Sequence, residues 1–212
     1  HHFRLNPYGG CSYGCSYCYA AFFVQDDDKQ RSWGDWVEAK SNAVELLRRM
    51  RTDLAGKTVY MSSVTDPYQP VERRLGLVRA LLQELLDRQV RLVVQTRSPL
   101  VTRDIDLLSR FEHARVNMTV TTDSRTVQQA FEPHCPSPRR RLEAITKVHE
   151  AGIKTSITMT PLLPVKDPDQ FVRQLAATGV SHFVVQPFHA NRGRFVAGTR
   201  AKALALMAEM NW

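Results

Sequence analysis

The chain has 212 residues, of which 43% are hydrophobic, enough to bury a full core in one domain spanning 1–212. Its formal charge is +8, from 22 Arg and 7 Lys against 21 acidic residues, which favours a polyanionic partner because such cations displace counterions from phosphate. No apolar run approaches the roughly 18–20 residues of a membrane span. No secretory leader pattern is present either, so a cytoplasmic protein without a membrane partner is expected.

In chain order, short β-branched runs alternate with amphipathic stretches. A strand is predicted at His2–Leu5, then a Gly-rich loop at 6–20 carrying three of the four cysteines, and a polar connection at Gln25–Asp35. A helix over Trp36–Leu54 is expected to bury Val37, Ala43, Leu46, Leu47 and Met50. Strands are predicted at Thr58–Ser62, Arg91–Gln95, Arg115–Val120, Lys154–Met159 and His182–Val185. Helices are predicted at Val71–Arg88, Arg103–Phe111, Pro138–Ala151, Pro168–Thr178 and Thr199–Met210, with Thr121–Ser137 read as a loop. Six strands alternating with helices imply a parallel sheet. An open six-unit (β/α)6 partial TIM-type barrel and a doubly wound sheet both satisfy that pattern. In either, the βα loops gather the site at the C-terminal strand ends, where the cysteine loop also falls.

That loop reads NPYGGCSYGCSYCYA (residues 6–20), with Cys11, Cys15 and Cys18 in a CxxxCxxC spacing. Three clustered thiols in a protein without a secretory leader point to metal rather than disulfides. Three thiolates from one loop can wrap one face of a [4Fe–4S] cubane and leave its fourth iron open, which implies chemistry. Structural zinc wants four ligands, with Cys135 or a His as a distant fourth. Ferredoxin-type carriers have a fourth cysteine in a further CxxC rhythm, which is missing here.

The spacing, with an aromatic before the last cysteine, resembles the signature of the radical S-adenosylmethionine (SAM) superfamily. Together with SSVTDPYQPVE (Ser62–Glu72), TRSPLVTRDIDLL (Thr96–Leu108) and the EP…RLEAI…HEAGI stretch (Glu132–Ile153), it resembles the spore photoproduct lyase-related, "DNA repair photolyase"-type branch. The resemblance implies SAM chelated by the open iron and reductive cleavage to a 5′-deoxyadenosyl radical, in a lyase or transferase type of reaction. It also implies an external electron donor of the flavodoxin or ferredoxin type.

By the same resemblance, Tyr17 packs against the adenine of SAM and the Tyr19 backbone meets its amino group. Ser63, Thr65 and Asp66 stand where relatives hold the SAM amino group, although Asp66-Pro67 also reads as a turn starter. Thr121, Thr122 and Thr160 offer polar contacts to ribose or carboxylate, and Gln186 lies on the adenine side. Gln95, Arg97 and Arg103 are expected to meet an anionic substrate, Trp33 and Trp36 to anchor their loop, and Cys135 to be incidental. In photoproduct lyases a cysteine near the second strand end returns hydrogen to product; here Ser63 stands there, and a hydroxyl is a poor hydrogen-atom donor. Either Tyr17, Tyr19 or Cys135 substitutes, or the reaction is not that repair. Three functions follow: radical chemistry on nucleic acid or a nucleotide, the same chemistry on a peptide or small metabolite, or a non-enzymatic iron–sulfur carrier or sensor.

Overall fold

The computed structural model describes residues 2–189 and 199–212. The chain begins with β1 (Phe3–Leu5) and β2 (Tyr8–Gly10), then α1 (Asp27–Arg31), β3 (Val37–Ala39) and α2 (Ala43–Arg49). It continues through β4 (Thr58–Met61), α3 (Glu72–Leu75), α4 (Leu77–Leu86), β5 (Arg91–Thr96) and α5 (Ile105–Leu108). The remaining elements are β6 (Ala114–Thr119), α6 (Arg125–Phe131), α7 (Pro138–Glu150), β7 (Lys154–Met159), α8 (Pro168–Ala177), β8 (Phe183–Val185) and α9 (Ala201–Glu209).

Six strands form one parallel sheet in the order β1-β4-β5-β6-β7-β8. Each neighbour is the next of these strands along the chain, so the order never reverses. A doubly wound sheet reverses at its switch point; the observed order is that of a partial TIM-type barrel. Alternation assigns the two faces. Leu92, Val94, Val116 and Met118 point outward into one core with Val78, Leu81 and Leu85 of α4 and Ile145 and Val148 of α7. The inner face is polar instead: the Gln95 amide donates to Thr119 at 2.9 Å and Thr158 at 3.0 Å and accepts from the Tyr60 hydroxyl at 3.0 Å. This polar network spans four strands, and the buried Asn117 side-chain oxygen on the same face has no partner among the described residues.

Four expectations need correction. The predicted helix at Trp36–Leu54 is a strand and a shorter helix, because β3 pairs antiparallel with β2 and satisfies the backbone of the Gly9–Gly10 segment. Only Leu47 of its expected apolar side is fully buried; Leu46 and Met50 are exposed. Val71–Arg88 is broken at Gly76, whose φ of +62° ends α3 and opens α4. Arg103–Phe111 begins earlier, as a 3-10 turn over Pro99–Asp104 capped by Ser98, and ends in the short α5. Thr121–Ser137 is no simple loop, since Ser124 caps α6 and Val127 and Phe131, four apart, bury one face of it.

Candidate active site

Residues 6–20 leave the end of β1 and fold over the C-terminal rim of the sheet. Gly10 and Gly14 take φ of +70° and +58°, and the β2–β3 ribbon holds the loop's first turn. Gly34 (φ +118°) lies so close that a Cβ on it would sit 2.9 Å from the Gly14 Cα. Gly34→Ala is therefore expected to cost about 1–3 kcal/mol and to lower the melting midpoint followed by circular dichroism; an unchanged midpoint contradicts this close approach. Asn6 ties the loop to the sheet, its amide oxygen accepting from the backbone of Ser63 at 2.8 Å and of Val64 at 3.2 Å.

Cys11, Cys15 and Cys18 open on one cavity of about 180 Å³ at the rim, with Ser63, Thr65, Asp66 and Trp33 in its wall. A second compartment of about 170 Å³ is lined by Tyr17, Gln186, Pro187 and His189. The two share Cys18, Tyr19, Arg97 and Thr160, so they adjoin. Of the nine residues expected to hold a cofactor, the structure brings seven together here: Tyr17, Tyr19, Ser63, Thr65, Asp66, Thr160 and Gln186.

Several of these groups are already tethered. The Thr65 hydroxyl donates to the Gly10 carbonyl, and the Tyr19 hydroxyl donates to the Ser63 carbonyl. Asp66 accepts from the Thr96 hydroxyl at 2.7 Å, from the Arg97 backbone at 2.8 Å and from the Tyr68 backbone at 2.9 Å. Its carboxylate thus starts the turn and staples the β4 and β5 loops together. Burial pushes its carboxyl pKa up against those donors.

Beneath the loop lies a buried charge network that the sequence reading missed. Glu132, fully buried, accepts from both Tyr17 and Arg141, and also from Arg97 at 2.9 Å and Thr121 at 2.9 Å. Burial pushes its carboxyl up, but the Arg141 and Arg97 guanidiniums outweigh that and hold it down to about 2. Arg97 also donates to the Cys15 sulfur at 3.0 Å, so the network braces the cysteine loop directly. Burial and neighbouring charges raise Cys11, burial raises Cys18 to about 11, and hydrogen bonding with Cys135 lowers Cys15.

Of the expected anionic-substrate contacts, Gln95 and Arg97 line the cavity of the thiols, and one nitrogen of Arg97 also pairs with Glu132 at 2.9 Å. Arg103 is corrected: it lines neither compartment and pairs with Glu72 at 2.7 Å and Asp104 at 2.7 Å. Thr121 and Thr122 do not line the cavity: Thr121 serves Glu132, and Thr122 donates to the Pro164 carbonyl at 2.6 Å. Cys135 is not incidental, since its sulfur lies 3.6 Å from that of Cys15. Trp36 anchors its loop as expected, donating to the Lys29 carbonyl at 2.8 Å. Trp33, by contrast, forms part of the cavity wall and buries its indole N–H without an acceptor among the described residues.

Among the described residues, no three His, Cys, Asp or Glu side chains converge closely enough to hold a single metal ion. The three thiols instead stand around one space of about 180 Å³, as suits a body larger than a single ion. The Radical SAM superfamily profile matches residues 5–175. The chain belongs to the radical SAM superfamily. An uncharacterized protein of Methanocaldococcus jannaschii is 36% identical over 160 residues, covering 76% of this chain and 60% of the relative. A Pseudomonas phage M6 protein named a radical SAM Nalpha-GlyT isomerase is 26% identical over 189 residues, covering 85% of this chain and 38% of its own. Among solved structures, a spore photoproduct lyase mutant with bound AdoMet and dinucleoside spore photoproduct superposes with a TM-score of 0.60 at 18% identity, over 86% of this chain and 54% of that one. This radical SAM chain thus spans little more than half of the lyase and about three fifths of the archaeal relative. Among its described residues no helix is long and apolar enough to cross a membrane.

Proposed function

We propose that this chain is the catalytic core of a radical SAM enzyme, with a [4Fe–4S] cluster on Cys11, Cys15 and Cys18 and SAM in the adjoining compartments. The observation that carries this reading is that the space faced by the three thiols adjoins the compartment of Tyr17 and Gln186, with four lining residues in common. When bound and reduced, the cluster supplies one electron that cleaves SAM to methionine and a 5′-deoxyadenosyl radical, which abstracts hydrogen from substrate.

The protein's own part is placement and shielding. Ser63, Thr65 and Asp66 offer hydroxyls and a carboxylate beside the thiols, where the amino-acid end of SAM belongs. Tyr17 and Gln186 present a ring and an amide to the adenine end, and Thr160 lies where the compartments meet. The Tyr19–Ser63 and Thr65–Gly10 bonds hold these walls in place before the cofactor arrives.

The favoured substrate is nucleic acid or a nucleotide, on the formal charge of +8 and the likeness to a structure holding a dinucleoside. The step after hydrogen abstraction differs from thiol-return repair, because the fourth cysteine, Cys135, lies outside the cavity. Reconstituted protein reduced with dithionite is expected to convert SAM to 5′-deoxyadenosine. An intact cluster that yields none leaves the carrier or sensor reading. Oligonucleotide binding that weakens as salt rises supports the substrate class, and no binding at low ionic strength moves it to a peptide or metabolite.

A further inference from the structure

Behind the cysteine loop lies a separate recess of about 660 Å³ that shares no lining residue with the cavity of the three thiols. Arg73 of α3, Arg125 of α6 and Arg140 of α7 line it together with His134, and no carboxylate does. These cations come from three segments and are exposed, so their field faces outward. The floor holds Tyr13, from the cysteine loop itself, and Cys135. The sulfur of Cys135 is 3.6 Å from that of Cys15, which opens on the other side. A basic bowl is thus separated from a cluster ligand by one sulfur–sulfur contact, on the face away from the SAM compartments.

We propose that this recess is the docking surface for an acidic one-electron donor protein, with the electron entering at the Cys135–Cys15 contact. The inference rests on the cluster assignment above. The step is balanced by one electron: the donor is oxidised by one, the cluster is reduced by one, and no bond or proton changes place. Electron transfer falls steeply with distance, so a recess lined by Cys135, 3.6 Å from a ligand sulfur, is favoured over any other basic patch. Charge complementarity without a carboxylate in the lining supplies orientation and a fast encounter. Nucleic acid would also answer the charge, but it has no use for a sulfur contact to the cluster on this face.

The test uses the reconstituted holoprotein, an acidic flavodoxin and the triple variant Arg73→Glu/Arg125→Glu/Arg140→Glu, with the Arg→Gln triple as a milder companion. Oxidised flavodoxin, followed by its flavin fluorescence, is expected to bind wild type in a salt-sensitive way. The glutamate triple is expected to bind roughly tenfold or more weakly and the glutamine triple in between. Deoxyadenosine formation driven by flavodoxin hydroquinone falls in the same order, while the dithionite-driven rate and the circular-dichroism spectrum stay at wild-type values. Unchanged flavodoxin affinity in the glutamate triple overturns the proposal. So does a variant that loses single-stranded DNA binding while keeping the flavodoxin-driven rate. Absence of dithionite-driven deoxyadenosine in wild type, with its cluster intact, strikes the enzyme reading instead.

Discussion

Cys11→Ala, Cys15→Ala and Cys18→Ala are each expected to abolish the iron content of reconstituted protein, and Cys135→Ala to retain it. Each of the three thiols opens on the shared cavity, and Cys135 opens on the recess behind it. A cubane held at three corners from one loop has no spare ligand, so losing one thiolate exposes an iron to water and the cluster dissolves. Cys135 touches Cys15 but lines the recess rather than the cavity that the three thiols share. Iron and sulfide assays after anaerobic reconstitution check the set. Wild-type iron in any of the three loop variants, or its loss in Cys135→Ala, overturns the ligand assignment.

The second large effect is on stability. Glu132→Gln is expected to cost about 3–5 kcal/mol, because it leaves guanidinium charge buried without its anion. The Arg141 side chain is 0% exposed and that of Arg97 only 17%. Arg141 keeps its bonds to the Pro136 carbonyl at 2.8 Å and the Thr119 carbonyl at 3.2 Å, but carbonyl dipoles do not cancel a full charge. Urea unfolding at neutral pH checks the loss; a shift below about 1 kcal/mol would mean that water reaches the network. The sign of the pH dependence follows from the carboxyl held below its ordinary value of 4.5, at about 2. Its stabilisation is complete above the ordinary value and fades as pH falls toward about 2, where the folded protein also takes up the proton. The Gln variant lacks this component of acid sensitivity.

Much of the site was legible because it is local. The three thiols lie within eight residues, and the repeated βα rhythm marks the strand ends. The family resemblance then picks out Ser63, Thr65, Asp66, Thr160 and Gln186 at those ends. What stayed hidden depends on distant partners. Nothing around Glu132 says that it meets Tyr17, 115 residues away, or Arg97, 35 residues away. An acidic residue beside a proline and a His reads as surface, and only a folded chain shows it enclosed by two arginines. The choice of Thr121 and Thr122 failed similarly: a strand-end hydroxyl serves a ligand or its own scaffold, and the partner decides which. The β2–β3 ribbon escaped notice because three-residue strands carry too little periodicity to register, and a glycine pair reads as loop. The sheet order, by contrast, resolved what alternation alone had left open between a partial barrel and a doubly wound sheet.

The monotonic order of the sheet bears on how the molecule assembles. Each sheet strand pairs with the one before it, so the sheet can grow one unit at a time from neighbouring pieces of chain. The Glu132 network does not follow that schedule. It joins Tyr17 in the first unit to Arg97 in the third and to Thr121 and Arg141 in the fourth. The segment that carries the thiols lies early in the chain, yet its brace is complete only when residues 132–141 have docked. On the proposed cluster assignment, iron supplied before that moment would meet a loop without its brace, and iron supplied after it a loop already held.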